Sequence, residues 1–133
     1  MRNLLLVGGG GFLGSVARYY LTGWATQMSH AGRFPVGTLV VNVTGCLLIG
    51  FLAGLAEHAH LLAPPTRLFL LTGFLGGFTT YSAFAYETYF LGREHMAVAA
   101  LTNIVLQLLL GLGAVLLGSR IAMLAAPTLF QSN

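Results

Sequence analysis

The chain contains no lysine and no aspartate, and its charge is confined to six arginines and three glutamates among 133 residues. That poverty excludes an ordinary soluble domain, which needs a polar surface these few charges do not supply. The net charge of +3 rests on Arg2, Arg18, Arg33, Arg67, Arg93 and Arg120. They are dispersed singly, with no basic stripe interleaved by aromatics, which argues against nucleic-acid binding. Cys46 is the only cysteine. No intramolecular disulfide is therefore possible, and its apolar neighbours mark it as a small buried residue. Nor is any nucleophile–base pair or metal-ligand cluster visible, so an enzyme is not indicated. His58 and His60 form an isolated H-x-H that lacks a third ligand nearby and reads as interfacial.

What the chain does have is apolar length. Hydrophobic residues make up 56% of it, and its mean hydropathy is +0.83. Crossing a bilayer takes about 20 apolar residues, and four stretches reach that length: about 3–28, 35–56, 66–91 and 96–119. With short connections, and Pro64-Pro65 as a breaker, residues 1–133 read as a single all-α four-helix membrane domain. The N-terminus resembles a leader peptide, but hydrophobicity resumes at Tyr19, so the segment is expected to be retained. Gly9 to Gly14 fits G-x-G-x-x-G, yet the first acidic residue is Glu57, far beyond the position a dinucleotide ribose requires. Gly10 with Gly14, and Gly50 with Gly54, fit small-residue packing faces between membrane helices better.

The third stretch is charge-free from Leu68 to Tyr86, and Gly73-Phe74-Leu75-Gly76-Gly77-Phe78-Thr79-Thr80-Tyr81-Ser82 interrupts it. This predicts a membrane helix broken at mid-depth, where unpaired backbone groups cost several kcal/mol unless protein, water or an ion satisfies them. Tyr81 and Phe84 follow at i and i+3, and their positive ring edges suit a small anion without holding it tightly. Asn42 and the hydroxyls of Thr80 and Ser82 add donors, while Thr38 and Asn42 share a helical face able to line a wet track. Asn103, Gln107 and Gly111 form a second polar face, read as interhelical hydrogen bonding. Carbonyls released around Gly76 and Thr79 are hard ligands for a cation, which two chains meeting there would share. Arg18 and Glu87 are costly at membrane depth, so Arg18 is expected either to draw anions to a vestibule or to pair with Glu87. Alternating sides put Arg2, Arg67 and Arg120 opposite Arg33 and Arg93, with Arg18 near the second group. So even a distribution predicts insertion in both orientations and antiparallel self-pairing.

Taken with Gly37-Thr38-Leu39-Val40-Val41-Asn42-Val43-Thr44-Gly45 and Gly14-Ser15-Val16-Ala17-Arg18-Tyr19, the run from Gly73 to Phe84 closely resembles the Fluc (CrcB-type) fluoride channels. The resemblance spans nearly the whole chain. It implies an antiparallel dual-topology homodimer in a prokaryotic-type inner membrane, with two fluoride pores and a central Na+ held by the carbonyls of Gly76 and Thr79. It maps the pore aromatics onto Tyr81 and Phe84, the pore asparagine onto Asn42, and hydroxyls onto Ser82 and Thr80. Two departures stand out: Tyr81 where the family usually has Phe, and Asn103 and Gln107 where it commonly offers Tyr and Ser. The expected function is passive fluoride export. A small multidrug exporter would need a carboxylate in the first helix, which is absent, and a non-conducting assembly subunit would not need a broken helix.

Overall fold

The computed structural model describes residues 1–58 and 62–130. Helix α1 covers Arg2–Ser29 and α2 covers Val36–His58. The third span begins as α3 (Pro64–Arg67), continues as a π-helical stretch (Leu68–Leu75), and ends its first half as α4 (Gly76–Phe78). Its second half is α5 (Tyr81–Arg93), and α6 covers Ala97–Phe130. Among the described residues, four spans are long and apolar enough to cross a membrane.

Two helix ends differ from expectation. The third span starts at Pro64 rather than Thr66, because proline in a first helical turn gives up no needed N–H. The last helix runs past Ser119 and Arg120, since an arginine near a membrane boundary does not interrupt helical hydrogen bonding. Ala122, fully buried, packs against Gly54 beyond that point.

The molecule is apolar outside as well as inside. Leu4, Leu5, Phe12, Leu101, Leu109, Leu112 and Leu116 are all exposed, a surface suited to lipid. The buried centre is small: Val41, Leu75 and Phe78, with Leu21, Leu48 and Phe74 packed against it. Close helix approach replaces a large core. A Cβ on Gly50 would strike the backbone of Val115, and one on Gly118 the backbone of Leu47, so α2 and α6 meet nearly backbone to backbone.

The same device seats α1 on the first half of the broken span. A Cβ on Gly10 would lie 2.6 Å from the Phe69 carbonyl oxygen. One on Gly14 would collide with the carbonyl of Phe74, and one on Gly77 with the carbonyl of Gly11. The Gly10–Gly14 packing face is therefore present. The G-x-G-x-x-G run lies wholly inside helix α1, without the strand and turn a phosphate cradle needs.

Candidate functional site

The backbone leaves helical geometry at Thr79 (φ −81°, ψ 157°) and Thr80 (φ −149°, ψ 112°). Gly73, Gly76 and Gly77 stay helical, so the break is made by two threonines and not by the glycines before it. Extended geometry suits β-branched residues. The first half widens into an underwound π-helix before it ends, a feature sequence composition did not signal.

The loose backbone groups find defined partners. Asn42 Oδ1 accepts from Thr80 N at 2.8 Å, and Asn42 Nδ2 donates to Thr80 O at 3.1 Å. One side-chain amide thus closes both polar groups of the residue at the break. The Thr80 hydroxyl caps α5 by accepting from Ala83 N at 3.2 Å and lies 3.3 Å from Ser82 Oγ. Thr79 Oγ1 donates back to Leu75 O at 2.9 Å.

This rewiring frees two carbonyls. In a continuous helix Thr80 N would donate to Gly76 O and Ala83 N to Thr79 O. Both donors are diverted, to Asn42 Oδ1 and Thr80 Oγ1. The oxygens of Gly76 and Thr79 thereby lose their helical partners, and two hard oxygen ligands suit an alkali cation.

A cavity of about 380 Å³ opens at this point, bordered by Asn42, Thr79, Thr80, Tyr81, Phe84 and Gln107, with Cys46 and aliphatic side chains completing the wall. The rings of Tyr81 and Phe84 are 5.7 Å apart and inclined at 62°, an edge-on arrangement. Tyr81 is 79% exposed and Ser82 and Gly76 are exposed too, so the cavity is unfinished on that side within one chain.

Farther along α5, Thr38 Oγ1 donates to Glu87 Oε1 at 2.6 Å, and Asn103 Nδ2 donates to Thr88 Oγ1 at 2.9 Å. The fourth-span polar face does make interhelical hydrogen bonds, with Gln107 Oε1 accepting from Asn42 Nδ2 at 3.3 Å. Thr38 is buried against Glu87 rather than lining an open track with Asn42.

The expected pairing of Arg18 with Glu87 is not made. Glu87 is held by Thr38, and α1 packs on α2 and the first half of the broken span, while α5 packs on α6 and α2. The break separates the two residues' neighbourhoods. Instead, an exposed ion pair that sequence reading missed joins Arg33 to Glu94 at 2.9 Å. It links the α1–α2 connection to the α5–α6 turn, an encounter of two loops that no local pattern signals. Among the described residues no group of three or more His, Cys, Asp or Glu is placed to hold a metal. His60 and the side chain of His58 lie outside the described residues.

Residues 5–119 match the family model described as CrcB-like protein, Camphor Resistance (CrcB). The chain belongs to the CrcB-like family. It is 45% identical over 118 residues to a fluoride-specific ion channel FluC of Methylobacillus flagellatus, covering 89% of this chain and 92% of that one. A protein of the same description from Chlorobaculum tepidum is 48% identical over 124 residues, covering 93% and 97%. Another from Oceanobacillus iheyensis is 40% identical over 123 residues, covering 92% and 93%. These CrcB-like relatives are named as channels rather than enzymes.

Proposed function

We propose that this chain forms a passive, fluoride-selective channel that carries the anion out of the cytoplasm across the inner membrane. The observation that carries the reading is the cavity at the Thr79–Thr80 break, where edge-on Tyr81 and Phe84 meet hydroxyl and amide groups with no arginine among them. Ring edges and neutral donors attract an anion without the full charge that would trap it. The names of the relatives select fluoride among small anions. Hydrogen fluoride enters cells as the neutral acid and ionises at cytoplasmic pH, so the trapped anion leaves down its own gradient and needs no coupled ion.

The working unit is an antiparallel dual-topology homodimer with two pores. Support comes from the even spread of arginines between the two sides and from the cavity's open flank at Gly76, Tyr81 and Ser82, which a second chain would close. A central structural Na+ would be held by the carbonyls of Gly76 and Thr79 from each chain, the two whose helical donors are diverted. When bound, that ion supplies positive charge that ties the two breaks together. Arg18, with no ion-pair partner among the described residues, serves to draw anions toward the pore mouth.

The test is anion efflux from liposomes holding the purified protein, fluoride against chloride, with Phe84→Ile in parallel. Fast fluoride efflux with little chloride, abolished in the variant, is the expected result. Well-folded protein that releases neither anion would sink the reading and favour an assembly role.

A further inference from the structure

Ser15 lies in the middle of α1, where a serine hydroxyl commonly donates to the carbonyl four residues back in its own helix. Here it reaches out of α1. Ser15 Oγ donates to Gly77 O at 3.4 Å, 62 residues away in the chain. Gly77 belongs to the last turn before the break. In a continuous helix its carbonyl would accept from Tyr81 N, but the extended pair Thr79 and Thr80 intervenes. A hydroxyl from another span supplies the donor instead.

Three carbonyls of this turn thus have different fates. The helical donors of Gly76 O and Thr79 O are diverted to Asn42 and to the Thr80 hydroxyl. Gly77 O, between them in sequence, is taken up by α1. Gly76 is exposed on the open flank, whereas a Cβ on Gly77 would strike the Gly11 carbonyl, so the Gly77 peptide is pressed against α1. Thr79 is held without Ser15: its hydroxyl donates to Leu75 O at 2.9 Å, and its methyl group fills the place of a Cβ on Gly45.

We infer that Ser15 is a positioning residue of the cation site: it keeps the Gly77 carbonyl on α1, so that each chain presents two carbonyls and not three. The inference rests on the Na+ site proposed above. Without the hydroxyl, the Gly77 carbonyl is left bare at membrane depth, one residue from the proposed ligand Gly76, and turns toward the positive charge there. An added hard oxygen from each chain raises the ligand number and suits a larger alkali ion. Selection between cations of like charge follows cavity size, ligand number and flexibility. The Ser15 hydroxyl therefore favours Na+ over K+.

Thermal unfolding of the full chain in detergent tests this without requiring conduction. Melting midpoints are followed as NaCl or KCl replaces N-methylglucamine chloride at constant ionic strength, for wild type, Ser15→Ala and Ser15→Thr. Ser15→Ala removes one oxygen atom and leaves every glycine contact in place, so the fold is expected to survive. In wild type, half-saturating K+ should exceed half-saturating Na+. In Ser15→Ala that ratio should fall about 3- to 10-fold, the worth of one neutral hydrogen bond. Ser15→Thr, which keeps the hydroxyl, should hold the wild-type ratio; where it does not fold, Ser15→Ala alone decides. A midpoint lowered equally at every cation concentration, with the ratio unchanged, would make Ser15 a packing residue and overturn the inference. So would a well-folded Ser15→Thr that behaves like Ser15→Ala. Wild-type protein whose midpoint responds to neither cation would remove the Na+ site and this inference together, and the fluoride-channel reading would then rest on efflux alone.

Discussion

The two halves of the broken span are held by opposite means. Before the break, Leu68–Phe78 is fixed through missing side chains: Gly10, Gly14 and Gly77 let α1 meet it at backbone distance. After the break, α5 is fixed through polar side chains, with Thr38 on Glu87, Asn103 on Thr88, and Asn42 across Thr80 at the junction. Backbone contact tolerates no enlargement and gives rigidity, which would suit a segment that leads into the proposed Na+ ligands Gly76 and Thr79. Hydrogen bonds between side chains can exchange partners, which suits the segment that borders the proposed pore.

The comparison is broken most severely on the glycine side. Gly14→Val pushes two methyl groups into the Phe74 carbonyl, with backbone on both sides and no flexible end to yield. Overpacking of this kind costs about 3 kcal/mol or more. The variant should lose folded protein altogether, read by size exclusion and detergent-unfolding midpoint. Gly9→Ala, on the same helix, is the internal control, since a Cβ there meets nothing within 4 Å, and it should fold normally. Equal damage in both would mean that glycine flexibility, and not close approach, is what this half needs.

The junction comes next. Asn42→Ala strips partners from Thr80 N and Thr80 O together. Each unsatisfied group costs roughly 1–3 kcal/mol unless water reaches it. The expected loss is about 2–4 kcal/mol, with fluoride efflux reduced even in protein that still folds, because the wall of the cavity moves. A stable variant with normal efflux would show that water replaces Asn42 at no cost.

Much of this architecture was legible beforehand. Spans of apolar length, the two glycine packing faces and the position of the break all follow from hydrophobic run length and small-residue spacing, which act locally along the chain. What was not legible depends on contacts between distant segments. Nothing around Asn42 tells that its amide closes the backbone of Thr80, 38 residues away. The glycines of this run pointed to the right region for the wrong reason, since Gly73 and Gly77 serve packing while Thr79 and Thr80 make the turn. The π-helical turns of Leu68–Leu75 left no trace in composition, because their residues favour an ordinary helix equally well.

The smallest expected effect sharpens the polar side. Sequence reasoning offered Arg18 as a partner for Glu87, whereas the Glu87 carboxyl group receives the Thr38 hydroxyl. Two double-mutant cycles separate these possibilities. Arg18→Ala with Glu87→Ala should be additive within about 0.5 kcal/mol, the behaviour of residues that share no partner. Thr38→Val with Glu87→Met, which removes the acceptor, should instead couple by about 1 kcal/mol, the worth of one buried hydrogen bond. Detergent-unfolding free energies of the four single variants and two doubles supply both numbers. Strong coupling in the first cycle and none in the second would mean that Glu87 turns toward α1 in the membrane. The second half of the span would then be held by charge rather than by hydroxyl and amide groups, and its contrast with the glycine-packed first half would need a different physical basis.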